Sequence, residues 1–284
     1  MLLRNLLLDY YAPMTGISDR TIKLYCYTIS AWADLLGRAP TIADLEELGV
    51  ARFLSHRVRT LAAATAAKDR AQLRAIWEFA ARRKLCTTWP TTPRIIVPER
   101  IPEAWMTDEL HRLIMSSEEE RMPIAGFPGA AVWRALLLLG YESGERIAAL
   151  IALQCKDVRG CNVIFRAENR KGRRRDIMRE ISVECADALI AVRRSPEETA
   201  IPWNHHNTYL YRRMNIILKR AGLPTDRRSK FHRIRKTTAS YYEQAGGSAQ
   251  RLLDHNSPQT TRVYLDPRIV RPKFTAPDVL PKVG

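Results

Sequence analysis

A proline-rich stretch about a third of the way along the chain constrains the fold more than any other feature. From Thr87 to Pro102 the sequence is TTWPTTPRIIVPERIP, with prolines at positions 90, 93, 98 and 102. Proline has no backbone N–H and holds the preceding residue extended, so neither a helix nor a central strand can run through this stretch. For 284 residues we therefore predict one domain over 1–87, a linker over 88–102 and a second domain over 103–284.

Both predicted domains are basic. The chain has 46 Lys plus Arg against 30 Asp plus Glu, which gives a net charge of +16, and 36 of the 46 are arginine. Residues 1–100 hold 15 basic and 9 acidic side chains, and residues 101–284 hold 31 and 21. The planar donor fork of arginine fits phosphate oxygens, so nucleic acid is one candidate partner. A solvated arginine-rich surface explains the composition equally well.

Composition also indicates which kinds of protein the chain is not. No apolar run approaches the roughly 20 residues that a membrane span needs, and Arg4 interrupts the N-terminal leucines. We therefore expect a cytoplasmic protein without membrane contact. The five cysteines are odd in number and form no C-x-x-C pair, so we expect neither a disulfide framework nor a zinc site, and no metal or other cofactor.

The first domain is predicted to be a small helical bundle. Ser18 is a candidate N-cap, apolar residues follow at steps of three and four from Ile22 to Leu36, and Gly37 ends the pattern. Further helices are predicted over 48–59 and 62–84. The last of these carries basic side chains away from its apolar face, which gives the bundle a basic side.

The second domain is predicted to mix helices with a few strands. Thr107 can cap a helix, and a buried helix over 133–141 is broken at Gly144. Two strands, 162–165 and 176–183, flank a very basic turn over 169–175, and helices resume near Glu184. After Pro267 we expect irregular structure. The predicted fold class is thus mainly α with a small β-sheet (α+β).

A set of residues that could carry chemistry is spread along the second domain. In chain order it comprises Arg146, Lys171, His232, Arg235, His255 and Tyr264. His232 and Arg235 are three residues apart, which places them on one face of a helix. Taken singly, each has a structural explanation, such as a packed histidine, a core tyrosine or a solvated basic turn.

Together, these residues resemble the tyrosine recombinase (phage integrase) family. The resemblance rests on residues 142–158, on His232-Arg-Ile-Arg235 and on residues 253–264, where the tyrosine follows the histidine by nine positions. The family pattern is T-G-x-R-I-x-E-L, a hairpin lysine, H-x-L-R, and L-G-H followed by tyrosine. Residues 60–93 also look like the end of the family's core-binding domain, so the resemblance covers nearly the whole chain.

The resemblance implies a site-specific DNA recombinase with Tyr264 as nucleophile. A tyrosine stores the energy of the cleaved bond as a 3′-phosphotyrosyl ester, and two arginines, Arg146 and Arg235, neutralise the phosphate oxygens without a metal. His255 would donate to the same phosphate, and His232 would exchange the tyrosine proton. Lys171 would protonate the 5′-oxygen that leaves.

The resemblance also implies partners. Four protomers would act on two DNA segments through a Holliday junction, with accessory DNA-bending proteins as further candidates and the nucleoid as the location. We predict that phosphate contacts come from basic residues of both domains, namely Arg70, Arg74, Arg82, Arg83, Arg170, Arg173, Arg174, Arg175 and Lys236. Integration or element mobility is the favoured role over chromosome resolution, because the N-terminal half diverges.

Three positions depart from the family pattern. Glu145 replaces a hydrophobe beside Arg146, Ala149 replaces a glutamate, and Asp254 replaces the glycine before His255. The Asp254 carboxylate should repel a phosphate, unless it orients His255 or points away. Two alternatives to a recombinase therefore stay open: a type IB topoisomerase-like strand transferase, and a catalytically silent DNA-binding protein of the same fold.

Overall fold

The computed structural model describes residues 1–170, 172, 175–272, 274 and 276–281. The chain forms two compact units, Met1–Arg100 and Ile101–Gly284. Residues 88–106 form no helix or strand, and the division between the units falls inside this extended stretch.

The first unit is helical throughout. Its elements are α1 (Leu3–Asn5), a π-helical stretch (Leu6–Tyr11), α2 (Ala12–Thr15), α3 (Asp19–Leu36), a 3-10 turn (Ile42–Asp44), α4 (Glu47–Thr60) and α5 (Ala63–Arg82). The predicted limits of α3 are confirmed, since the Ser18 hydroxyl accepts the Thr21 N–H at 3.3 Å and Gly37 ends the helix with a φ of 67°. Sequence reasoning assigned no helix before Ser18.

The core of the first unit lies among α3, α4 and α5. Trp32 packs against Phe53 with ring centroids 5.7 Å apart, and Leu73 and Trp77 are fully buried beside them. A buried polar contact crosses this core, because the Thr28 hydroxyl donates to Asp69 at 2.7 Å. The three predicted helices therefore form one bundle.

The second unit combines helices with a small sheet. Its helices are α6 (Thr107–Ser117), α7 (Gly129–Ser143), α8 (Ile147–Ala152), α9 (Val183–Ile190), α10 (Asn207–Arg220), α11 (Phe231–Gln244), α12 (Ala249–Leu253), α13 (Pro258–Arg262) and α14 (Ala276–Val279). Its strands are β1 (Val158–Arg159), β2 (Asn162–Phe165) and β3 (Ile177–Glu180), paired antiparallel in that order. The predicted fold class, mainly α with a small sheet, is confirmed.

Several details of the second unit differ from the sequence prediction, among them the second predicted strand, 176–183, which ends at Glu180 because α9 begins at Val183. Thr107 is the first residue of α6 rather than its cap, because the Glu109 carboxylate accepts the Met106 N–H at 2.9 Å and shifts the start by one residue. The short strand β1 extends the predicted hairpin to a third strand. After Pro267 the described residues include a short helix, α14, where irregular structure was expected.

The apolar helix α7 lies at the centre of the second unit. It packs against α6, α8, α9 and α11, and its side chains from Val132 to Leu139 supply much of the core. Trp133 stacks on Phe231 of α11 at 6.2 Å. Because α7 is surrounded, its C-terminal end is held rigidly where the candidate site begins. Within the described part of the chain, no helix is both long and apolar enough to span a membrane.

Candidate active site

The first site residue, Arg146, is positioned by the sharp end of α7. Gly144 adopts a left-handed conformation with a φ of 62°, and a Cβ there would lie 3.3 Å from the Thr238 side chain. The chain turns and Arg146 becomes the N-cap of α8. Its side chain lines a cleft of about 220 Å³ together with His255. No described residue forms a hydrogen bond or ion pair with the Arg146 guanidinium, which leaves it available to a ligand.

Arg235 of α11 is fixed from several sides, with 2% of its surface exposed. Its guanidinium donates to the backbone oxygen of Gly144 and, at 2.9 Å, to that of Leu253. Burial, and then repulsion by Arg146, lower the pKa of Arg235 to about 10, so it remains a cation at neutral pH. Because the positive charges of Arg146 and Arg235 repel each other, an anion bound between them is favoured.

His255 follows the end of α12 and is also buried. Its Nδ1 lies 3.1 Å from the Thr261 hydroxyl and its Nε2 lies 3.5 Å from Arg235. Burial, then Arg235 and Arg146, lower the pKa of His255 to about 4, so the ring is neutral at pH 7. Since arginine can only donate, neutral His255 carries its proton on Nδ1 and donates it to Thr261.

His232 sits one turn before Arg235 on α11. As a whole residue it is exposed, but its ring packs edge-on against Tyr264 with centroids 4.8 Å apart. Desolvation of the ring in this contact, followed by the charges of Lys236 and Arg235, lowers the pKa of His232 to about 4. A neutral imidazole therefore lies beside the tyrosine, in the state that accepts a proton.

Tyr264 completes the cluster from the segment after α13. Its ring lies 4.9 Å from His255 and 5.6 Å from the guanidinium carbon of Arg235, and the residue is 8% exposed. Its backbone is held as well, because the Tyr264 N–H donates to Thr261 at 2.8 Å and its carbonyl accepts from Ser240 at 3.2 Å. The tyrosine is thus docked inside the site of its own chain.

Five predicted residues therefore come together although they span 119 positions of the sequence: Arg146 and His255 line one cleft, and His232, Arg235 and His255 surround the Tyr264 ring. The cluster places a tyrosine ring beside a buried cation and two neutral imidazoles, with a second arginine at the cleft. Such an arrangement can stabilise the charge that develops on a phosphate attacked by the hydroxyl. Across the described residues, no group of three or more His, Cys, Asp or Glu side chains is arranged to hold a metal ion.

Comparison with known proteins identifies the family. The family model described as phage integrase family matches residues 105–269, more than half of the chain, and the model described as phage integrase, N-terminal SAM-like domain, matches residues 5–84. The chain belongs to the phage integrase family. No curated protein sequence matches this integrase family member.

Solved structures show the same fold at low sequence identity. A crystal structure of a lambda integrase dimer bound to a COC' core site is 21% identical, with a TM-score of 0.69 over 94% of this chain and 78% of that one. The Tn1549 transposon integrase in complex with transposon right end DNA is 10% identical, with a TM-score of 0.73 over 93% and 95%. XerH site-specific recombinase bound to difH substrate is 19% identical, with a TM-score of 0.63 over 86% and 75%.

The other predicted site residues of this family member are not among the five that meet. Lys171, Arg173 and Arg174 lie outside the described residues. Arg170 was predicted to contact DNA, but its side chain is only 5% exposed and is paired with two carboxylates, which places it in the interior of the site. Arg175 is 69% exposed and bonds to Asp254 at 2.7 Å.

The remaining predicted DNA contacts lie on helix surfaces. Lys236 is half-buried, and burial, followed by the charge of Arg228, lowers its pKa. In the first unit Arg74 is exposed and Arg70 is half-buried. Arg82 pairs with Glu78 one turn earlier, and Arg83 stacks over the Phe79 ring at 3.7 Å. These placements leave their contact with DNA a prediction.

Sequence reasoning missed several residues that hold the integrase site together. Thr261 orients His255, and Ser240 joins the Tyr264 carbonyl to the Asp266 N–H, which donates to it at 2.9 Å. One feature of the sequence indicates the place of Thr261: Ser257 and Pro258 are typical of a helix start, and Thr261 lies one turn after it. Ser240 and Asp266 have no such feature, since their partners are distant in sequence.

Proposed function

We propose that this integrase family member is a site-specific DNA recombinase that cuts and rejoins duplex DNA through a 3′-phosphotyrosyl bond to Tyr264. One observation carries the proposal: the Tyr264 ring lies between His232 and His255, at 4.8 and 4.9 Å, beside the buried cation Arg235. A core tyrosine has no need of these neighbours. A tyrosine that attacks a phosphate requires them.

In the proposed reaction the Tyr264 oxygen attacks the scissile phosphorus while Arg146 and Arg235 hold its non-bridging oxygens. Arg146 supplies a guanidinium from the lining of the cleft, and Arg235 supplies one that the Gly144 and Leu253 carbonyls fix. The phosphate partly relieves the repulsion between the two cations, and this relief is greatest when charge accumulates in the transition state. The anion raises the pKa of His255, so the ring takes up a proton and donates a further hydrogen bond to the phosphate.

The bond exchange is balanced. The bond between the tyrosine oxygen and phosphorus forms, and the bond between phosphorus and the 5′-oxygen breaks. His232 receives the tyrosine proton, and Lys171 gives a proton to the 5′-oxygen. A 5′-hydroxyl from a partner strand then attacks the phosphotyrosyl bond and returns Tyr264 to its starting state. One phosphoester replaces another, so the proposed reaction consumes no ATP and uses no metal ion.

We also propose duplex DNA and copies of this chain as partners. Both units carry net positive charge, which suits contact with one polyanion from two sides. Similar solved structures include a lambda integrase tetramer bound to a Holliday junction. We accordingly propose that recombination is carried out by four protomers on two DNA sites. Accessory DNA-bending proteins remain a candidate addition.

The test is covalent capture of DNA. The full chain is incubated with supercoiled plasmid carrying the DNA that flanks its own gene, in the presence of EDTA, and the reaction is stopped with denaturant. Wild type should form a protein–DNA covalent complex, and Tyr264→Phe should form none. Tyr242→Phe is the matched control, because Tyr242 is an exposed tyrosine outside the site; it should behave as wild type.

The outcomes separate the candidates. The recombinase is supported if a covalent complex forms that depends on Tyr264 and if strands are also exchanged between two DNA sites. Plasmid relaxation without exchange indicates the topoisomerase-like activity. Equal behaviour of wild type and Tyr264→Phe, with DNA binding retained, contradicts the proposal and indicates a silent DNA-binding protein.

A further inference from the structure

Arg170 is a buried cation that bridges two carboxylates. It donates to Glu145 at 2.9 Å and to Asp254 at 3.0 Å, and its side chain is 5% exposed. Glu145 is itself 1% exposed at the side chain. A buried arginine placed between two acids is costly to desolvate and is stable only while both partners remain in place.

This bridge joins three separate parts of the chain that meet at the site. Glu145 immediately precedes Arg146, and Asp254 immediately precedes His255. Arg170 itself lies in the segment between β2 and β3, directly after a 3-10 turn over Ala167–Asn169. The cleft between these parts is lined by Arg146, Arg170, Gly172, Asp254, His255, Asn256 and Thr260. Any movement of the bridge would therefore shift the two residues next to it that face the cleft.

The bridge also neutralises charge where an anion must bind. Two free carboxylates within a turn of Arg146 and His255 would oppose a phosphate in the cleft. Although burial alone would raise it, hydrogen bonds from Arg175 and Arg170 hold the pKa of Asp254 below its usual range. Asp254 also has a φ of 54°, a conformation disfavoured for a residue with a side chain, and the ion pairs offset that strain.

We infer that Arg170 is a positioning residue that neutralises Glu145 and Asp254, and thereby holds Arg146 and His255 in register, rather than a contact to DNA phosphate. The inference rests on the proposed function for its catalytic consequence. Its structural part does not depend on that function: it states that Arg170 and the two acids stabilise one another in the folded chain. Each part receives its own measurement.

The structural part is tested with two variants of the full chain. Arg170→Met takes the nearest counter-ion from the buried Glu145, which keeps Arg179 and Arg235 at 3.9 Å, and one of two from the partly exposed Asp254, which keeps Arg175. It should lower the unfolding midpoint of the second unit by roughly 10 °C. Adding Glu145→Gln and Asp254→Asn to Arg170→Met removes those charges and should restore most of the midpoint. A triple variant as unstable as Arg170→Met would overturn the inference.

The role towards DNA is tested by the salt dependence of binding to any duplex, which needs no knowledge of the recombination site. A lost phosphate contact lowers the slope of log K against log salt by about one. Arg170→Met, measured below its unfolding midpoint, should keep the wild-type slope. Arg74→Met, a variant of an exposed candidate contact, is the comparison. A slope lowered by about one in Arg170→Met would contradict the inference.

The catalytic consequence is measured as covalent complex formation on the plasmid described above. Arg170→Met should lose on the order of 100-fold in rate, and the triple variant should recover to within about 10-fold of wild type. An inactive triple variant overturns the inference, and the salt dependence described above separates a positioning role from a phosphate contact. If wild type and Tyr264→Phe are equally inactive, the proposed function fails while the stability and salt measurements still decide the role of Arg170.

Discussion

The guanidinium of Arg235 donates a hydrogen bond to the backbone oxygen of Gly144, two residues before Arg146. Arg235 belongs to α11, and Arg146 is the N-cap of α8. The backbone turn at Gly144 positions Arg146, and Arg235 therefore holds the turn that leads into Arg146. Such preorganisation avoids reorganisation during the reaction.

Arg235→Lys tests this arrangement. A lysine ammonium cannot reach the oxygens of Gly144 and Leu253 in the planar geometry of a guanidinium, so we expect covalent complex formation to fall at least 100-fold. DNA binding should fall much less, because most of the affinity comes from other phosphate contacts. Arg251→Lys, on the exposed side of α12, is the control. Equal rates in Arg235→Lys and wild type would show that the two guanidinium hydrogen bonds of Arg235 are not needed.

Gly144→Ala tests the turn that precedes Arg146. The φ of 62° disfavours alanine, and its Cβ would meet Thr238 at 3.3 Å, so the free energy of unfolding should fall by about 2 kcal/mol. Gly160→Ala is the matched control in the same unit, with a φ of 57° and open space around it. It should cost about 1 kcal/mol. Only Gly144→Ala should also slow covalent complex formation. Denaturant unfolding measures the stability of each variant, and the plasmid assay measures its rate of complex formation.

The sequence predicted those elements whose signals are local. The cap at Ser18, the glycine at position 37 and the apolar run of α7 lie within the helices they define, and the structure confirms them. The start of α6 was wrong by one residue, because the Glu109 carboxylate competes for the helix end. The first fifteen residues gave no clear helical periodicity, so their helical segments were missed.

The order of motifs along the sequence predicted which residues could form the site, but not how they are held. The effect of Asp254 was undecided from sequence, and the structure shows it paired with Arg170, 84 positions away. Arg170 was predicted as a DNA contact because its neighbours are basic, whereas its burial depends on Glu145, 25 positions away. Single-sequence patterns do not show pairings over such separations, since they contain no record of which segments become neighbours.

The two site histidines should take up protons when DNA binds. In the free protein the pKa values of His232 and His255 are both about 4, against an ordinary value of 6.5. A phosphate in the cleft offsets the repulsion from Arg146 and Arg235, so both pKa values should rise and protons should be absorbed near pH 5.5. Calorimetric titration with duplex DNA in two buffers of different ionisation enthalpy measures this uptake.

The same shifts fix the sign of the acid response of the free protein. Between pH 6.5 and 4 the unfolded chain binds more protons at these histidines than the folded chain, so their contribution to stability is lost as the pH falls through that window. A His232→Asn, His255→Asn double variant should show a weaker pH dependence of unfolding and less proton uptake on DNA. Uptake equal to wild type would place the titrating groups elsewhere.

Asp266 is expected to control how well Tyr264 is docked. Its carboxylate accepts the Ala104 N–H at 2.7 Å and pairs with Arg268, while its own N–H donates to Ser240, which bonds to the Tyr264 carbonyl. Asp266→Ala leaves a buried N–H unpaired and removes the ion pair, so the free energy of unfolding should fall by about 3 kcal/mol. The rate of covalent complex formation should fall further than DNA affinity does.

Two further measurements distinguish docking of Tyr264 from general loss of stability. Ser240→Ala removes the link to the Tyr264 carbonyl and leaves the Asp266 N–H unpaired, but it keeps the Asp266 charge, so the free energy of unfolding should fall by about 1 kcal/mol, less than in Asp266→Ala, while cleavage still slows. Asp187→Ala on the exposed face of α9 should change neither. Although burial alone would raise it, hydrogen bonds from Arg268 and Ala104 hold the pKa of Asp266 below its usual range, so its contribution to stability persists at neutral pH and disappears as acid titrates the folded carboxyl. Full activity in Ser240→Ala would show that the backbone around Tyr264 is positioned by other contacts, and the role assigned to Asp266 would then be limited to stability.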